Sequence, residues 1–240
     1  QYIGDVIFSN DEDKNIAIRP LFEKGMSQII PLNAMVSILK KVINNENFVS
    51  MTTITKGRNA FGLTGKEANN TTSENPQKDD FQVRCSYERI RYISKQKIKK
   101  NVELANKYKV FMSKANGAAG ILGDKEQVTI LGKPYLGIKG AICTDSLIPI
   151  GEFSTQIEAE NLCKYIQTKF LRFMVGILKS SQNIYQIVYK FVPIQDFSEN
   201  SDIDWSKPID NIDEQLFDKY NLSQEEREHI KNSIKDMEKI

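Results

Sequence analysis

The stretch that decides the fold is TQIEAENLCKYIQTKFLRFMVGIL, residues 155–178. It opens with a capping box, in which the Thr155 hydroxyl and the Glu158 carboxylate satisfy the first unpaired backbone N–H groups of a helix. Apolar side chains then recur at helical spacing and form one stripe: Ala159, Leu162, Ile166, Phe170, Phe173 and Ile177. Because such a stripe packs against a core, we predict one long packed helix over 155–178.

The sequence before this helix predicts a sheet. Short segments rich in β-branched and aromatic residues indicate strands at 48–54, 81–87, 89–93, 107–112, 128–131 and 142–150. Periodic apolar residues over 30–43 predict a further helix. Residues 64–80 hold almost no apolar side chain, and we expect a long surface loop there. Together these patterns predict the α+β class, with a mixed or antiparallel sheet.

The carboxyl-terminal part of the chain differs in composition. Residues 196–240 contain thirteen Asp or Glu against six Lys or Arg. A second capping box, from Ser223 to Glu226, predicts a terminal helix that ends near Met237. We therefore expect a main domain over 1–195 and an acidic helical appendage over 196–240.

Positive charge is concentrated in the middle of the chain. The formal net charge is only +2, yet residues 81–115 carry ten Lys or Arg against Glu88 and Glu103. Such a segment attracts a polyanion, because each neutralised phosphate releases condensed counterions. A solvated lysine-rich face is the alternative interpretation.

Apolar content and cysteine usage narrow the class of protein. No apolar run approaches the roughly 20 residues that span a bilayer, so we expect no membrane association. The three cysteines are far apart in the sequence, and we expect reduced thiols in the cytoplasm. The first residue is Gln1 rather than methionine, as we expect for a segment cut from a longer polypeptide.

Residue types that several catalytic classes require are missing. His229 is the only histidine, and its glutamate-rich surroundings predict a solvated side chain rather than a catalytic base. The phosphate loop G-x-x-x-x-G-K-[ST] does not occur, nor does the N-P-P-Y type tetrapeptide of adenine methyltransferases. A metal-dependent nuclease needs clustered carboxylates and a lysine, which Asp5 and the run from Glu12 to Lys14 match only weakly. That enzyme remains an alternative.

Several segments in the second half of the chain resemble a known family. They are CTDSLIPIG (143–151), FSTQIEAEN (153–161), YIQTKFLRF (165–173), QNIYQIVYKFVP (182–193) and LFDKYNLSQEE (216–226), with Trp205 between the last two. Upstream, RNAFGL (58–63), YKVFMSKA (108–115) and LGKP (131–134) fit the same family. In this order they resemble the C-terminal target-recognition domain of type II restriction–modification adenine-specific DNA methyltransferases, those with a TaqI-like specificity domain.

This resemblance implies sequence-specific recognition of double-stranded DNA, with no catalysis by this chain. In the family, a catalytic methyltransferase or nuclease domain lies N-terminal in the same polypeptide, and the methyltransferase uses S-adenosylmethionine. We expect no cofactor in the present segment. Residues 64–80 have no counterpart in the family, so target specificity would differ there.

Two alternatives to this interpretation remain. The chain could be a stand-alone metal-dependent restriction endonuclease, which uses acidic residues such as Asp5 and Glu12. It could instead be a protein-interaction module, in which the acidic residues 196–240 bind a partner subunit or shield the basic face.

Eleven residues are candidates for DNA contact. The segment 56–63 is the first choice, because Arg58 suits guanine, Asn59 suits adenine and Phe61 could pack on a base. Lysines beside the strand at 107–112 suit phosphates, and polar residues after the long helix could reach a groove. The full set is Lys56, Arg58, Asn59, Phe61, Lys109, Lys114, Lys179, Gln182, Asn183, Tyr185 and Lys190. A tight turn that sends Phe61 and Leu63 into the core is the alternative for 56–63.

Overall fold

Helices and strands alternate irregularly along the chain. The computed structural model describes residues 5–9, 16–23, 29–30, 33–86, 89–115, 120–123 and 127–237. The strands are β1 (Asp5–Ser9), β2 (Ile16–Pro20), β3 (Asp80–Arg84), β4 (Ile90–Ser94), β5 (Tyr108–Ser113), β6 (Tyr135–Gly137), β7 (Ala141–Cys143) and β8 (Leu147–Phe153). The helices are α1 (Asn33–Ile43), α2 (Gly65–Thr71), α3 (Val102–Ala105), α4 (Gln156–Gln167), α5 (Lys169–Gly176), α6 (Ile209–Lys219) and α7 (Gln224–Ser233). The predicted α+β class is confirmed.

The described strands form three small sheets. β1 and β2 make an antiparallel hairpin. In the second sheet, ordered β4-β3-β7, β3 runs antiparallel to β4 and parallel to β7. In the third, ordered β6-β5-β8, both pairings are antiparallel. The predicted mixed or antiparallel character is therefore confirmed, although the strands are divided among three sheets.

Strand β5 separates two apolar cores. Successive side chains of a strand point to opposite faces, and on β5 both faces are buried. Val110 and Met112 join the larger core, which contains α4 and α5. Phe111 joins the smaller core, which contains Phe61 and Phe81. Strand β5 therefore contributes side chains to both cores.

Lys109 occupies the smaller-core face of β5 and is fully buried. Its ammonium donates to the carbonyl oxygens of Ala105 at 3.2 Å, Ile138 at 3.3 Å and Ala141 at 2.9 Å. These carbonyls belong to α3, to the turn before β7 and to β7, so this ammonium connects the second sheet with the third. Burial lowers the pKa of Lys109 to about 7.

The single helix expected over 155–178 is instead two helices. α4 ends and α5 begins at Thr168, whose backbone is extended, with φ −62° and ψ 148°. The Thr168 hydroxyl accepts the N–H of Leu171 at 3.1 Å and donates to the carbonyl of Tyr165 at 2.7 Å. All six residues of the predicted stripe are buried, and the Thr155–Glu158 capping box is present. The apolar spacing continues across Thr168, so periodicity could not reveal the break.

Asp213 of α6 completes the start of α5. Its buried carboxylate accepts the N–H groups of Lys169 at 2.9 Å and Phe170 at 2.8 Å. These are orphan donors that any helix N-terminus must satisfy. Residues of α6 and α7 also belong to the larger core that contains α5. The division of the chain at 195 and 196 stays a prediction.

Several local expectations were wrong. Residues 48–54 hold a short 3-10 turn, Met51–Thr53, in place of a strand, and at 128–131 there is only an isolated bridge from Val128 to Ile234. The loop expected at 64–80 begins with α2, which the Thr64–Glu67 capping box starts. His229 is half-buried rather than solvated, because α7 packs on α5 and brings its ring edge-on to Phe173, 5.6 Å between centroids. The second capping box, at Ser223, is confirmed, but the helix that it starts ends at Ser233 rather than near Met237.

Replacing Asp213 tests its role at the start of α5. Asp213→Ala leaves two buried N–H groups unpaired and should lower the free energy of unfolding by about 2 to 4 kcal/mol. Urea unfolding measures this loss. Asp210→Ala, an exposed change on the same helix, is the matched control and should cost much less. Equal losses in the two variants would contradict the role of Asp213.

Replacing Lys109 tests the consequence of its burial for pH dependence. The unfolded chain keeps this proton to higher pH than the folded chain, so the free energy of unfolding gains a contribution as pH rises from about 7 toward about 10. Lys109→Met should remove that gain in urea unfolding series between these pH values. Lys99→Met, at an exposed position, should keep it. Parallel curves for wild type and Lys109→Met would show that the expectation is wrong.

Candidate nucleic-acid interface

Arg58 lies at the centre of the candidate interface. Its guanidinium carbon is 4.1 Å from the centroid of the Tyr185 ring, and its Nη2 donates to Oδ1 of Asn183 at 3.2 Å. Arg58 is exposed, and Tyr185 is 44% exposed. Within the described part of the chain, Asn183 is the only hydrogen-bond partner of the Arg58 side chain. The remaining guanidinium donors are thus available to a ligand.

A tight turn presents Arg58. The N–H of Gly62 donates to the carbonyl of Asn59 at 3.1 Å, and both residues have positive φ, 70° and 55°. Lys100 Nζ donates to the same carbonyl at 3.3 Å, and Asn101 Nδ2 donates to the carbonyl of Ala60 at 2.6 Å. These bonds hold the turn on the smaller core while Arg58 projects from it.

The segment after α5 presents Asn183 and Tyr185. The N–H of Ile184 donates to the carbonyl of Lys114 at 2.7 Å, and Ala115 forms an antiparallel bridge with Asn183. Ile184 itself is buried in the larger core. The structure thus brings together three candidates, Arg58, Asn183 and Tyr185, from segments more than a hundred residues apart.

Two other candidates, Lys56 and Lys114, form ion pairs. Lys56 forms an ion pair with Glu152. Lys114 pairs with Asp145 at 3.2 Å. Burial opposes ionisation of Asp145, but the N–H of Gly65 and the Lys114 ammonium outweigh it and lower the pKa of this carboxyl. Gln182 is exposed and Lys190 is half-buried.

Three candidates are buried and are removed from the set. Phe61 is 1% exposed, because the turn directs it into the smaller core. Lys109 is buried because β5 has a core on each face. Lys179 is 3% exposed and donates to the carbonyl of Gly120. The predicted contact of Asn59 with adenine also loses support. Its side-chain oxygen is buried and has no hydrogen-bond partner among the described residues. Asn59 instead supplies the left-handed backbone of the turn.

A second arginine–aromatic pair was missed in the sequence. The guanidinium carbon of Arg84 is 4.6 Å from the centroid of the Tyr135 ring. Arg84 belongs to the basic segment, and Tyr135 directly follows the LGKP segment that carries part of the family resemblance. Because the two residues are 51 positions apart, no local sequence pattern joins them. The only signal in the sequence for this pair is that Arg84 belongs to the basic segment.

Two arginines of the basic segment 81–115 have partners in residues 64–80, where a long surface loop was expected. Arg89 donates to Asn69 at 2.8 Å. Arg91 donates to the carbonyl of Thr72 at 2.9 Å and pairs with Glu74 at 3.3 Å. Residues 64–80 thus cover one end of the basic segment. The exposed bases of this segment include Lys95, Lys97, Lys99 and Lys100.

The acidic residues of 196–237 form ion pairs with helices of the larger core and with one another. Glu226 pairs with Lys41 of α1, and Asp236 pairs with Lys169 of α5. Glu214 pairs with Arg227 and Lys231 within the same segment. These contacts do not involve the Arg58 group, so they give no support to shielding of that surface.

The nuclease alternative depends on residues that the structure does not describe. Glu12 and Lys14 lie outside the described residues, as does the side chain of Asp5. In the described ranges no group of three or more His, Cys, Asp or Glu could hold a metal ion. In the same ranges no helix combines the length and the apolar character needed to cross a membrane.

The chemistry of these groups suits a polyanion that carries planar bases. An arginine stacks on an exposed aromatic ring, with an asparagine and several lysines beside it.

Comparison of the chain with protein-family models, with curated proteins and with solved structures found no match.

Proposed function

We propose that this chain recognises double-stranded DNA in a sequence-specific way, as the target-recognition part of a restriction–modification adenine methyltransferase or endonuclease. The observation that carries the proposal is the exposed Arg58 guanidinium, which Tyr185 and Asn183 hold in place. The family resemblance seen in the sequence supplies the enzyme context.

The chemistry of Arg58 favours a base edge in the major groove. A guanidinium binds O6 and N7 of guanine with two parallel hydrogen bonds, which no other base accepts in the same way. Stacking on Tyr185 and the bond to Asn183 restrict the side chain before binding, so less conformational entropy is lost on contact. Lysine in the same position would keep the charge but not the planar fork.

The remaining parts of the proposal concern the longer protein. A methyltransferase domain with S-adenosylmethionine would flip and modify an adenine while this chain holds the site. The present chain would contribute recognition and no catalysis, and it would act in the cytoplasm.

Salt dependence tests the DNA-binding part of the proposal. We expect the 240-residue chain to bind duplex DNA at low salt, with log affinity falling linearly as log salt concentration rises, because lysines displace counterions from phosphates. Fluorescence anisotropy with a labelled duplex measures this slope. No binding at low salt, or a flat response, would refute the proposal. Cleavage of plasmid DNA with magnesium would instead favour the nuclease alternative.

Arg58→Lys tests the sequence-specific part. After selection of a preferred site from a randomised duplex library, we expect the variant to bind that site about 10- to 100-fold more weakly, because a bidentate contact is worth about 1–3 kcal/mol. Affinity for unselected DNA should change little, since the charge is kept.

Arg89→Lys is the matched control, because Arg89 is also exposed and donates to an asparagine oxygen, that of Asn69. If both variants keep the site preference of the wild type, Arg58 is not the base-reading residue.

A further inference from the structure

A groove of about 440 Å³, lined by both polar and apolar side chains, opens where the ends of the second and third sheets meet. Its walls are the residues that follow β3, the end of β5, the segment before β6 and the start of β8. Side chains with N–H or O–H donors line it: Ser86, Ser113, Lys114, Lys133, Tyr135 and Ser146. Of the described residues along these walls, none carries a carboxylate. Ammonium and hydroxyl donors are the groups that proteins use to bind phosphate oxygens.

Lys114 is positioned at the groove and keeps donors for a ligand. Asp145 contacts it at 3.2 Å and is itself fixed by the N–H of Gly65 at 2.8 Å. A lysine ammonium has three N–H donors, and in the described part of the chain the Lys114 side chain uses one of them, toward Asp145. The carboxylate therefore orients this ammonium without occupying all of its donors.

The groove adjoins the Arg58 group. Lys114 and Ala115 are joined to the segment 183–184 by the Ile184 N–H bond to Lys114 and by the Ala115–Asn183 bridge. Backbones that pair in this way are about 5 Å apart. A duplex that presents a base edge to Arg58 therefore brings its sugar–phosphate backbone close to the groove.

We propose that this groove seats a phosphate group of the DNA backbone next to the base that Arg58 reads. This inference rests on the proposed function, because it takes the phosphate from DNA. The DNA backbone and a free mononucleotide both present a phosphate ester, so a free mononucleotide is the alternative ligand for this groove. Contacts of this kind fix the register of a protein on DNA and carry no sequence information themselves.

Lys133→Gln tests the groove. Loss of one phosphate contact should reduce the slope of log affinity against log salt by about 1, and should weaken binding by a similar factor for selected and unselected duplexes. This differs from Arg58→Lys, which affects the selected site. Lys139→Gln is the control: Lys139 is exposed and lies against the Tyr108 ring, at the opposite end of β5 from the groove. Thermal unfolding confirms that each variant is folded.

Three results bear on the inference. A reduced slope in Lys133→Gln, with an unchanged slope in Lys139→Gln, supports it. Equal slopes in wild type and Lys133→Gln overturn it, while DNA recognition by Arg58 can still stand on its own assay. If the wild-type chain binds no DNA at low salt, the proposed function and this inference both fail. In that case, saturable binding of deoxyadenosine monophosphate to the wild-type chain, abolished in Lys133→Gln, would reassign the groove to a free nucleotide.

Discussion

The burial of β5 on both faces is the constraint on which the rest of the structure depends. Val110 and Met112 pack on the helices, while Lys109 and Phe111 face the smaller core. A lysine in such a place needs acceptors for its ammonium, and three backbone carbonyls from α3, the turn before β7 and β7 provide them. These three hydrogen bonds compensate for the burial of the ammonium, and they also hold the second sheet against the third.

The candidate interface follows from that arrangement. The turn that carries Arg58 is held by the smaller core through Phe61, whereas Asn183 and Tyr185 flank Ile184 in the larger core. Strand β5 separates the two cores. The residues at its end, Ser113 and Lys114, therefore lie where the part of the interface held by the smaller core meets the part held by the larger core. Recognition residues on loops that rigid elements support are a common arrangement in binding proteins. Here the support comes from two separate cores.

The fold buries or pairs many of the charged residues that stand out along the sequence. The segment 81–115 is strongly basic, but Lys109 is buried and the arginines near β4 contact α2 and the residues after it. The acidic end of the chain pairs with α1, α5 and itself. Lys95, Lys97, Lys99 and Lys100 of the basic segment stay exposed, and Lys114 lines the groove. The local excess of positive charge along the chain therefore does not show which of these bases a partner could reach.

The sequence by itself determined the α+β class, the capping boxes at Thr155 and Ser223, and the buried stripe of 159–177, and it placed Arg58, Asn183 and Tyr185 among the candidates for DNA contact. These depend on local periodicity and on the chemistry of side chains, which a sequence displays directly. Only the tertiary structure decided that Thr168 divides the helix, because Asp213, 45 positions later, accepts the otherwise unpaired N–H groups at the start of α5. It also decided that Phe61, Lys109 and Lys179 are buried while Arg58 stacks on Tyr185. Burial and stacking depend on which distant segments pack together, and no local pattern contains that information.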